Sequence, residues 1–550
     1  MIMNKKIHYI LFSIFGTVIV IWQLFASGYV LTLDMIFGPH VDLVKNAGDL
    51  LNNVPIQYLL ALVTIISSGW ITQKILLIIV FFLLLYLPLH FFKKIFNIER
   101  TYGAEYVTSL FFAINPFVYE RFLAGNWMVL FGYVLLVPFS AYLIEFCKEW
   151  NYRNGLKLLG IIILIGAIST HIFIILLIVV GLACIANLIR LKFNIEFIKK
   201  GLLLCLAVLV FSIYWLIPAF IGSTGTPLAT FGPEHWEVFK TAGSGYWGTL
   251  GNVLSLHGFW GEHEPWIERF VLPKDSGWVF GISLVIFFSI IITGIYAGLK
   301  DRQLRAKVSF LIFVMFLATV FSCGIGEGVF RNFNLWMFEH ISFWKGFRDS
   351  EKWSALIALG YALLGGLGAR FVLSYFQKQE YRRIAFYILI AIPLMYTPMM
   401  LFGFVGQLKP VQYPNSWAEV NNVLKEDKDC RALFLPWQQY YSLHFNNEIL
   451  TANLSRSYFD CDIVQGKNMN LGEVVSQGGN GEEYDAIERE VTNNDANPDS
   501  VIEFLRERGI KYIIFTDDVV GEDPYKYPFL GSKELFKVIN KDGVYLYRII

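Results

Sequence analysis

Eleven apolar runs leave this chain few ways to fold: residues 7 to 26, 72 to 92, 106 to 119, 127 to 147, 157 to 171, 172 to 189, 201 to 222, 277 to 299, 308 to 326, 353 to 375 and 384 to 405. A helix needs about 20 mainly apolar residues to cross a bilayer, so the pattern predicts a mainly α, polytopic membrane bundle of about eleven spans. The third and fifth runs are short or interrupted by polar residues, which leaves the count open by one or two. With 55% hydrophobic and 16% charged residues, disorder is excluded. The charges balance to +1, so no nucleic-acid partner is expected. The first run follows Lys5 and Lys6, carries no small-residue cleavage site and precedes further spans, and so reads as an anchor.

Positive charge then sets the orientation, because cytoplasmic loops hold the excess of Lys and Arg. With Lys5 and Lys6 inside, the clusters around Lys93, Lys148, Arg190, Lys300 and Arg382 also fall inside. The segments 27 to 71, 120 to 126, 223 to 276, 327 to 352 and everything after 406 fall outside. These outer segments are the longer ones and hold the candidate chemistry. Within the first, residues 54 to 68 are too short to span comfortably and are expected to lie flat at the interface.

Two domains follow: a transmembrane domain over 1 to 405 and a soluble, extracytoplasmic α/β or α+β domain over 406 to 550. In the tail, 430 to 437 reads as a strand, 500 to 518 as a helix and strand, and 535 to 550 as a hairpin turning at Lys541-Asp542-Gly543. The Gly-, Asn- and acid-rich stretch 476 to 499 reads as a surface loop. Of six cysteines, Cys430 and Cys461 lie outside the apolar segments and could bridge if the tail is extracytoplasmic.

Four places concentrate polar side chains where spans end. Asp34, just beyond the first span, is placed to act as a general base on a lipid-borne substrate; the plainer alternative is a solvated loop residue. His40, Asp42 and Asp49 follow it at spacings that match no compact metal motif. Glu120 and Arg121, in FFAINPFVYERFLAGNW, could form an interfacial ion pair, or orient an acceptor hydroxyl and meet a lipid phosphate. His257, Trp260, Glu262, His263 and Glu264, in LSLHGFWGEHEPWIERF, suit a sugar ring or, at His263, a metal; an interfacial amphipathic helix is as good a reading. Arg348 and Lys352, in FWKGFRDSEKW, would share a helical face if a helix begins near Asp349 and could hold a phosphate, with Arg331 joining them; or they pair with Asp349 and Glu351. No Walker A, GxGxxG, HExxH or GxSxG motif is present.

The order of these features resembles the GT-C superfamily of multipass glycosyltransferases. NPFVYERFLAGNW and FRDSEKW are similar to segments of the large bacterial arabinofuranosyltransferases and their YfhO-like relatives. The resemblance implies an inverting transfer from a polyprenyl-phosphate sugar, with Asp34 as base and Arg348 and Lys352 stabilising the departing phosphate. It implies membrane lipids and a glycan, glycolipid or glycoprotein acceptor as partners. Some GT-C families need a divalent cation, Mg or Mn; here Leu33 and Met35 flank Asp34, so no DxD or ExD forms and the metal stays open. The alternatives are a lipid-linked sugar transporter or flippase, and a glycan-binding scaffold using Trp437, Tyr440 and Tyr441 as a stacking platform.

Overall fold

The structure is a computed structural model that describes residues 5–43, 51–221, 232–243, 245, 247–263, 271–471, 474–476, 482–521 and 526–550. Asp49 and Glu264 lie outside the described residues. The first nine helices are α1 (Lys5–Ile21), α2 (Val54–Ile66), α3 (Gly69–Phe96), α4 (Ala104–Ala113), α5 (Pro116–Leu123), α6 (Trp127–Lys148), α7 (Tyr152–Ile168), α8 (Thr170–Arg190) and α9 (Ile195–Ile221).

Among the described residues, eight segments are long and apolar enough to cross a membrane: Lys5–Phe25, Gly69–Phe96, Trp127–Lys148, Thr170–Arg190, Ile195–Pro218, Trp278–Lys300, Arg305–Ser322 and Ser350–Tyr375. The pair Gln379–Tyr396 and Pro398–Phe404, bent by 80°, would make a ninth. The expected count of about eleven, open by one or two, comes down to eight or nine among the described residues. The run 106 to 119 breaks at Asn115-Pro116 into α4 and α5, of 10 and 8 residues. At 1.5 Å per residue neither reaches across a hydrocarbon core of about 30 Å. The run 157 to 171 ends at Ser169, whose side chain caps α8, leaving α7 with 17 residues. The apolar helix α2 has 13 residues, too short to span, and exposes Tyr58, Leu59, Leu62, Ile65 and Ile66. That apolar face suits the interfacial position expected for it.

The chain forms two compact units. The first comprises Met1–Gln23, Leu76–Leu216 and Trp236–Gln407. Its central helix, Ser354–Tyr375, is buried along most of its length. It packs closely against Trp278–Lys300 because glycines face each other: a Cβ on Gly294 would sit 1.8 Å from Leu364 O, and one on Gly368 2.0 Å from Ile290 O. Small residues of this kind let membrane helices approach backbone to backbone.

The second unit comprises Leu24–Ile75, Ile217–His235 and Leu408–Ile550. Its five-stranded sheet has the order β4-β1-β7-β9-β8. The strands are β1 (Arg431–Leu435), β2 (Tyr440–Ser442), β3 (Leu450–Ala452), β4 (Asp462–Gln465), β5 (Met469–Leu471), β6 (Val474–Ser476), β7 (Tyr512–Thr516), β8 (Leu535–Lys541) and β9 (Val544–Ile549). β1 runs parallel to both β4 and β7, with Leu433 opposite Val464 and Ile513; β9 closes the sheet antiparallel to β7. The β8–β9 hairpin turns at Asp542 and Gly543, both at positive φ (47° and 72°), the geometry a two-residue type I′ turn needs. Cys430 and Cys461, at the starts of β1 and β4, form a disulfide. The stretch 476 to 499 departs from its expected loop: Glu482–Thr492 is a helix. Ile487 and Val491 on that helix join Leu433, Ile502 and Phe515 in the core under the sheet, so burial of one apolar face outweighs a polar local composition.

Candidate active site

Asp34 sits on a strap pinned at several points within the second unit. Tyr29 and Val411 exchange backbone hydrogen bonds at 2.8 Å each, and the Gln73 amide brackets Val30, accepting from its N–H (2.9 Å) and donating to its carbonyl (2.7 Å). Thr32 and Met35 pair across a tight turn in which Leu33 takes φ 36°. Leu33 N donates to Leu450 O at 2.7 Å and Leu33 O accepts from Ala452 N at 2.9 Å, so the turn docks on β3. Leu31, Leu33 and Met35 are buried while Asp34 is exposed. The hydroxyl of Tyr440 donates to Asp34 Oδ1 at 2.7 Å. The same hydroxyl-bearing ring begins β2, whose next residue, Tyr441, faces the core with 3% exposure. Trp437 is likewise core, at 4%, so the expected aromatic platform of Trp437, Tyr440 and Tyr441 does not exist as a surface.

In the first unit, the local sequence NPF builds a corner. The Asn115 side-chain oxygen accepts from Val118 N at 3.0 Å and caps α5, while its amide donates to the carbonyls of Phe111 (3.1 Å) and Phe112 (2.9 Å) at the end of α4. Pro116 at the first helical position has no N–H to leave unpaired. The corner buries all of α5 and turns Arg121 inward, at 0% exposure. Its Nη1 and Nη2 hold Asp349 Oδ2 and Oδ1 at 2.5 and 2.9 Å, and its Nε and Nη2 both reach Glu351 Oε2, the former at 2.9 Å. Asn126 Oδ1 accepts from Nη1 at 3.0 Å, and Phe259 lies 5.0 Å below the guanidinium. Two segments separated by more than two hundred residues thus meet through one bidentate cation.

Arg121 is therefore not a ligand for lipid phosphate, as the sequence alone allowed; every direction of its planar fork is occupied within the protein. The expected helical face for Arg348 and Lys352 is also absent. Asp349 has φ −82° and ψ 81°, a 3₁₀ turn covers Ser350–Trp353, and the α-helix starts only at Ser354. Asp349 and Glu351 must both face Arg121, whereas residues two apart on an α-helix point to different sides. Lys352 Nζ lies 3.4 Å from Asp349 Oδ2 and 3.4 Å from His171 Nε2, and Arg348 stacks 4.7 Å over Phe239. Arg331 is engaged by Glu237 (2.5 Å) and by the Ile325 carbonyl.

The segment around residue 260 folds inward instead of forming an interfacial helix. Glu262 is salt-bridged to Lys274 and accepts from Gly258 N at 2.7 Å. His257 is buried, with Nδ1 3.1 Å from Ser255 O and Nε2 3.9 Å from Glu120 Oε1. Glu120 is 2% exposed, and its carboxyl lies beside those of Glu262 and Glu351. Trp260 packs 4.7 Å from Phe239, and His263 ends the 3₁₀ turn Trp260–His263. His40 Nε2 lies 2.8 Å from Asp460 Oδ1. Among the described residues no three His, Cys, Asp or Glu side chains converge to hold a metal ion.

Burial and charge give these groups different protonation states. Burial, then the neighbouring Glu262 and Glu351 carboxylates, raises the Glu120 carboxyl well above its usual range. Burial would also raise Glu262, but Lys274 and His257 reverse it and keep that carboxyl low. Burial holds the His257 imidazole down to about 4 against the pull of Glu262. Asp349 is buried as well, yet Arg121 and Lys352 hold it ionised. A raised Glu120 stabilises the fold below its unfolded pKa near 4.5 and loses that contribution as pH rises, whereas His257 contributes above about 6.5 and loses its share as pH falls toward about 4. Glu120→Gln, an isostere of the protonated acid, is expected to match wild type near pH 4 and to exceed it in unfolding temperature near pH 8. Equal unfolding temperatures at both pH values would show Glu120 to be ionised in the folded state.

Sequence reasoning missed Tyr440 as a partner of Asp34 and Lys274 as the partner of Glu262. Tyr440 is 406 positions from Asp34, so no local pattern announces it. Lys274 is only 12 positions from Glu262, and its sign was the available signal.

No protein-family model matches the sequence, and no curated protein matches it. Among solved structures, the mycobacterial arabinofuranosyltransferase AftD aligns with 99% of this chain at 13% identity and a TM-score of 0.58, and a point mutant of AftD does so at 13% and 0.60. This chain spans about two fifths of the AftD length, 40% and 41% in the two alignments. An archaeal oligosaccharyltransferase, AglB from Archaeoglobus fulgidus, aligns with 93% of this chain and 69% of its own at 10% identity, with a TM-score of 0.40 that is too low to carry a fold correspondence. Over 99% of its length the chain therefore shares its fold with part of the mycobacterial arabinofuranosyltransferase AftD.

Proposed function

We propose that the protein is a membrane glycosyltransferase that moves a sugar from a polyprenyl-phosphate donor to a cell-envelope glycan, glycolipid or glycoprotein on the extracytoplasmic face. The observation that carries this function is Asp34, the one exposed side chain of a turn otherwise buried from Leu31 to Met35 and fixed by backbone hydrogen bonds. A base must be held within hydrogen-bond reach of the hydroxyl it deprotonates, and a pinned turn meets that need where a loose loop would not. The Asp34 carboxylate takes the proton of an acceptor hydroxyl, the oxygen attacks the anomeric carbon, and the polyprenyl phosphate leaves with inversion.

Lys352 and Arg348 are the cations given the role of meeting the departing phosphate; Lys352 would exchange its contact with Asp349 Oδ2, at 3.4 Å, for a phosphate oxygen. Lys352 sits at the head of a membrane span, where a prenyl chain in the bilayer would present its headgroup. An extracytoplasmic second unit is supported by the Cys430–Cys461 disulfide, a bond that persists in oxidising compartments.

The test is transfer by purified protein in lipid nanodiscs from a panel of polyprenyl-phosphoryl pentoses and hexoses to envelope glycans extracted from the host. Wild type should consume one donor class and release polyprenyl phosphate. Lys352→Ala should raise the donor KM about tenfold or more, the scale of one charge-assisted contact. An unchanged donor KM would remove Lys352 from the donor site, and release of no polyprenyl phosphate from any donor would remove the activity.

A further inference from the structure

We propose that Tyr440 is a positioning residue for Asp34, so that the β2–β3 ribbon of the second unit sets the rate of transfer; this rests on the general-base role given to Asp34 above. The ribbon fixes Asp34 twice. Leu450 and Ala452, on β3, hold the backbone of Leu33 from both sides, at 2.7 and 2.9 Å. Tyr440 is the register partner of Ala452 on β2, which sets its hydroxyl 2.7 Å from Asp34 Oδ1. Strand alternation explains why this tyrosine and not its neighbour does the work: Tyr441 points into the core, so Tyr440 points the other way.

An exposed carboxylate on a turn can rotate about two side-chain bonds, and backbone pinning does not stop it. The phenolic O–H does, because its hydrogen bond holds one carboxylate oxygen and leaves the direction of the other defined. A base misaimed by about 1 Å loses rate on the order of a hundredfold while substrate binding is untouched. Buried groups beneath the turn add to its rigidity: Thr32, Met35, Thr451 and Asn446 are all fully buried, and Asn446 donates to the Leu31 carbonyl at 3.3 Å.

The experiment compares wild type, Tyr440→Phe and Asp34→Asn on the polyprenyl-phosphoryl sugar that wild type turns over. Each protein is scored for kcat, donor and acceptor KM, the ratio of donor hydrolysis to transfer, and unfolding temperature. Tyr440→Phe should lower kcat about 10- to 100-fold with both KM values within about twofold, raise the share of hydrolysis over transfer, and leave the unfolding temperature unchanged. Wild-type kcat in Tyr440→Phe beside an inactive Asp34→Asn would overturn the positioning role and leave the base in place. Full activity in Asp34→Asn would remove the base and the positioning role together. A fall in kcat matched by a lower unfolding temperature and an unchanged hydrolysis share would make Tyr440 a structural residue and also overturn the proposal.

Discussion

Asp34→Asn is expected to reduce transfer about 10²- to 10⁴-fold, the range that a positioned general base supplies, with donor KM and unfolding temperature close to wild type. The substitution keeps the shape of the side chain and can still accept from the Tyr440 hydroxyl, which now donates at 2.7 Å. The neighbours that hold the turn use backbone atoms of Leu33, Thr32 and Met35, none of which the substitution touches. Loss of rate would therefore report chemistry and not folding. The measurement is release of polyprenyl phosphate and appearance of sugar in the acceptor, with unfolding followed in the same nanodiscs. Wild-type turnover would mean that Asp34 takes no proton, and another acid would have to be sought among Asp42, Glu120 and Glu262.

Arg121→Met has the largest expected effect on stability. The guanidinium is the shared partner of two buried carboxylates, and its removal leaves Asp349 and Glu351 facing each other in a dry interior. Breaking a buried ion pair by deleting one member destabilises by about 3 to 5 kcal/mol, because the remaining charge is neither solvated nor paired. Asp349 keeps Lys352 at 3.4 Å and burial raises the Glu351 carboxyl, so the lower part of that range applies. Arg121→Lys keeps the charge but has one compact ammonium in place of a planar fork, and cannot hold both oxygens of Asp349 while reaching Glu351. It should recover only part of the loss. Combining Arg121→Met with Asp349→Asn and Glu351→Gln removes the stranded charges and should restore stability beyond the single variant. Denaturant titration in detergent reads all three; a single variant as stable as wild type would show that the lattice is solvated in the membrane protein.

The membrane character of the chain, the hairpin at Asp542-Gly543 and the strand at residue 431 were legible because each depends on local pattern or composition; the sequence offered Cys430 and Cys461 as a pair only on the condition of an extracytoplasmic tail, and the bond itself rests on β1 and β4 lying side by side. The span count was less so. An apolar run does not record whether an Asn-Pro step will cap a new helix inside it, and at Asn115-Pro116 it did. The acid after the first span was visible as a residue type in a place, but the turn that presents it is made by Leu450 and Ala452, far along the chain. The same holds for the charged residues near the spans. NPFVYER and FRDSEKW each read as a surface salt bridge or a phosphate site in isolation. Only their meeting shows that Arg121 is spent on holding Asp349 and Glu351. Glu120 and Arg121 are neighbours in sequence with opposite surroundings, the first beside other carboxyls that raise its own and the second held between Asp349 and Glu351, because α5 turns them toward different partners.

The strap bearing Asp34 belongs with the residues after Leu408, although it leaves the first span nearly four hundred positions earlier. Anyone grafting the C-terminal region of one such protein onto the bundle of another would have to carry Leu24–Ile75 with it. A chimera joined at a single point near residue 408 would inherit the acid from one parent and its cradle from the other.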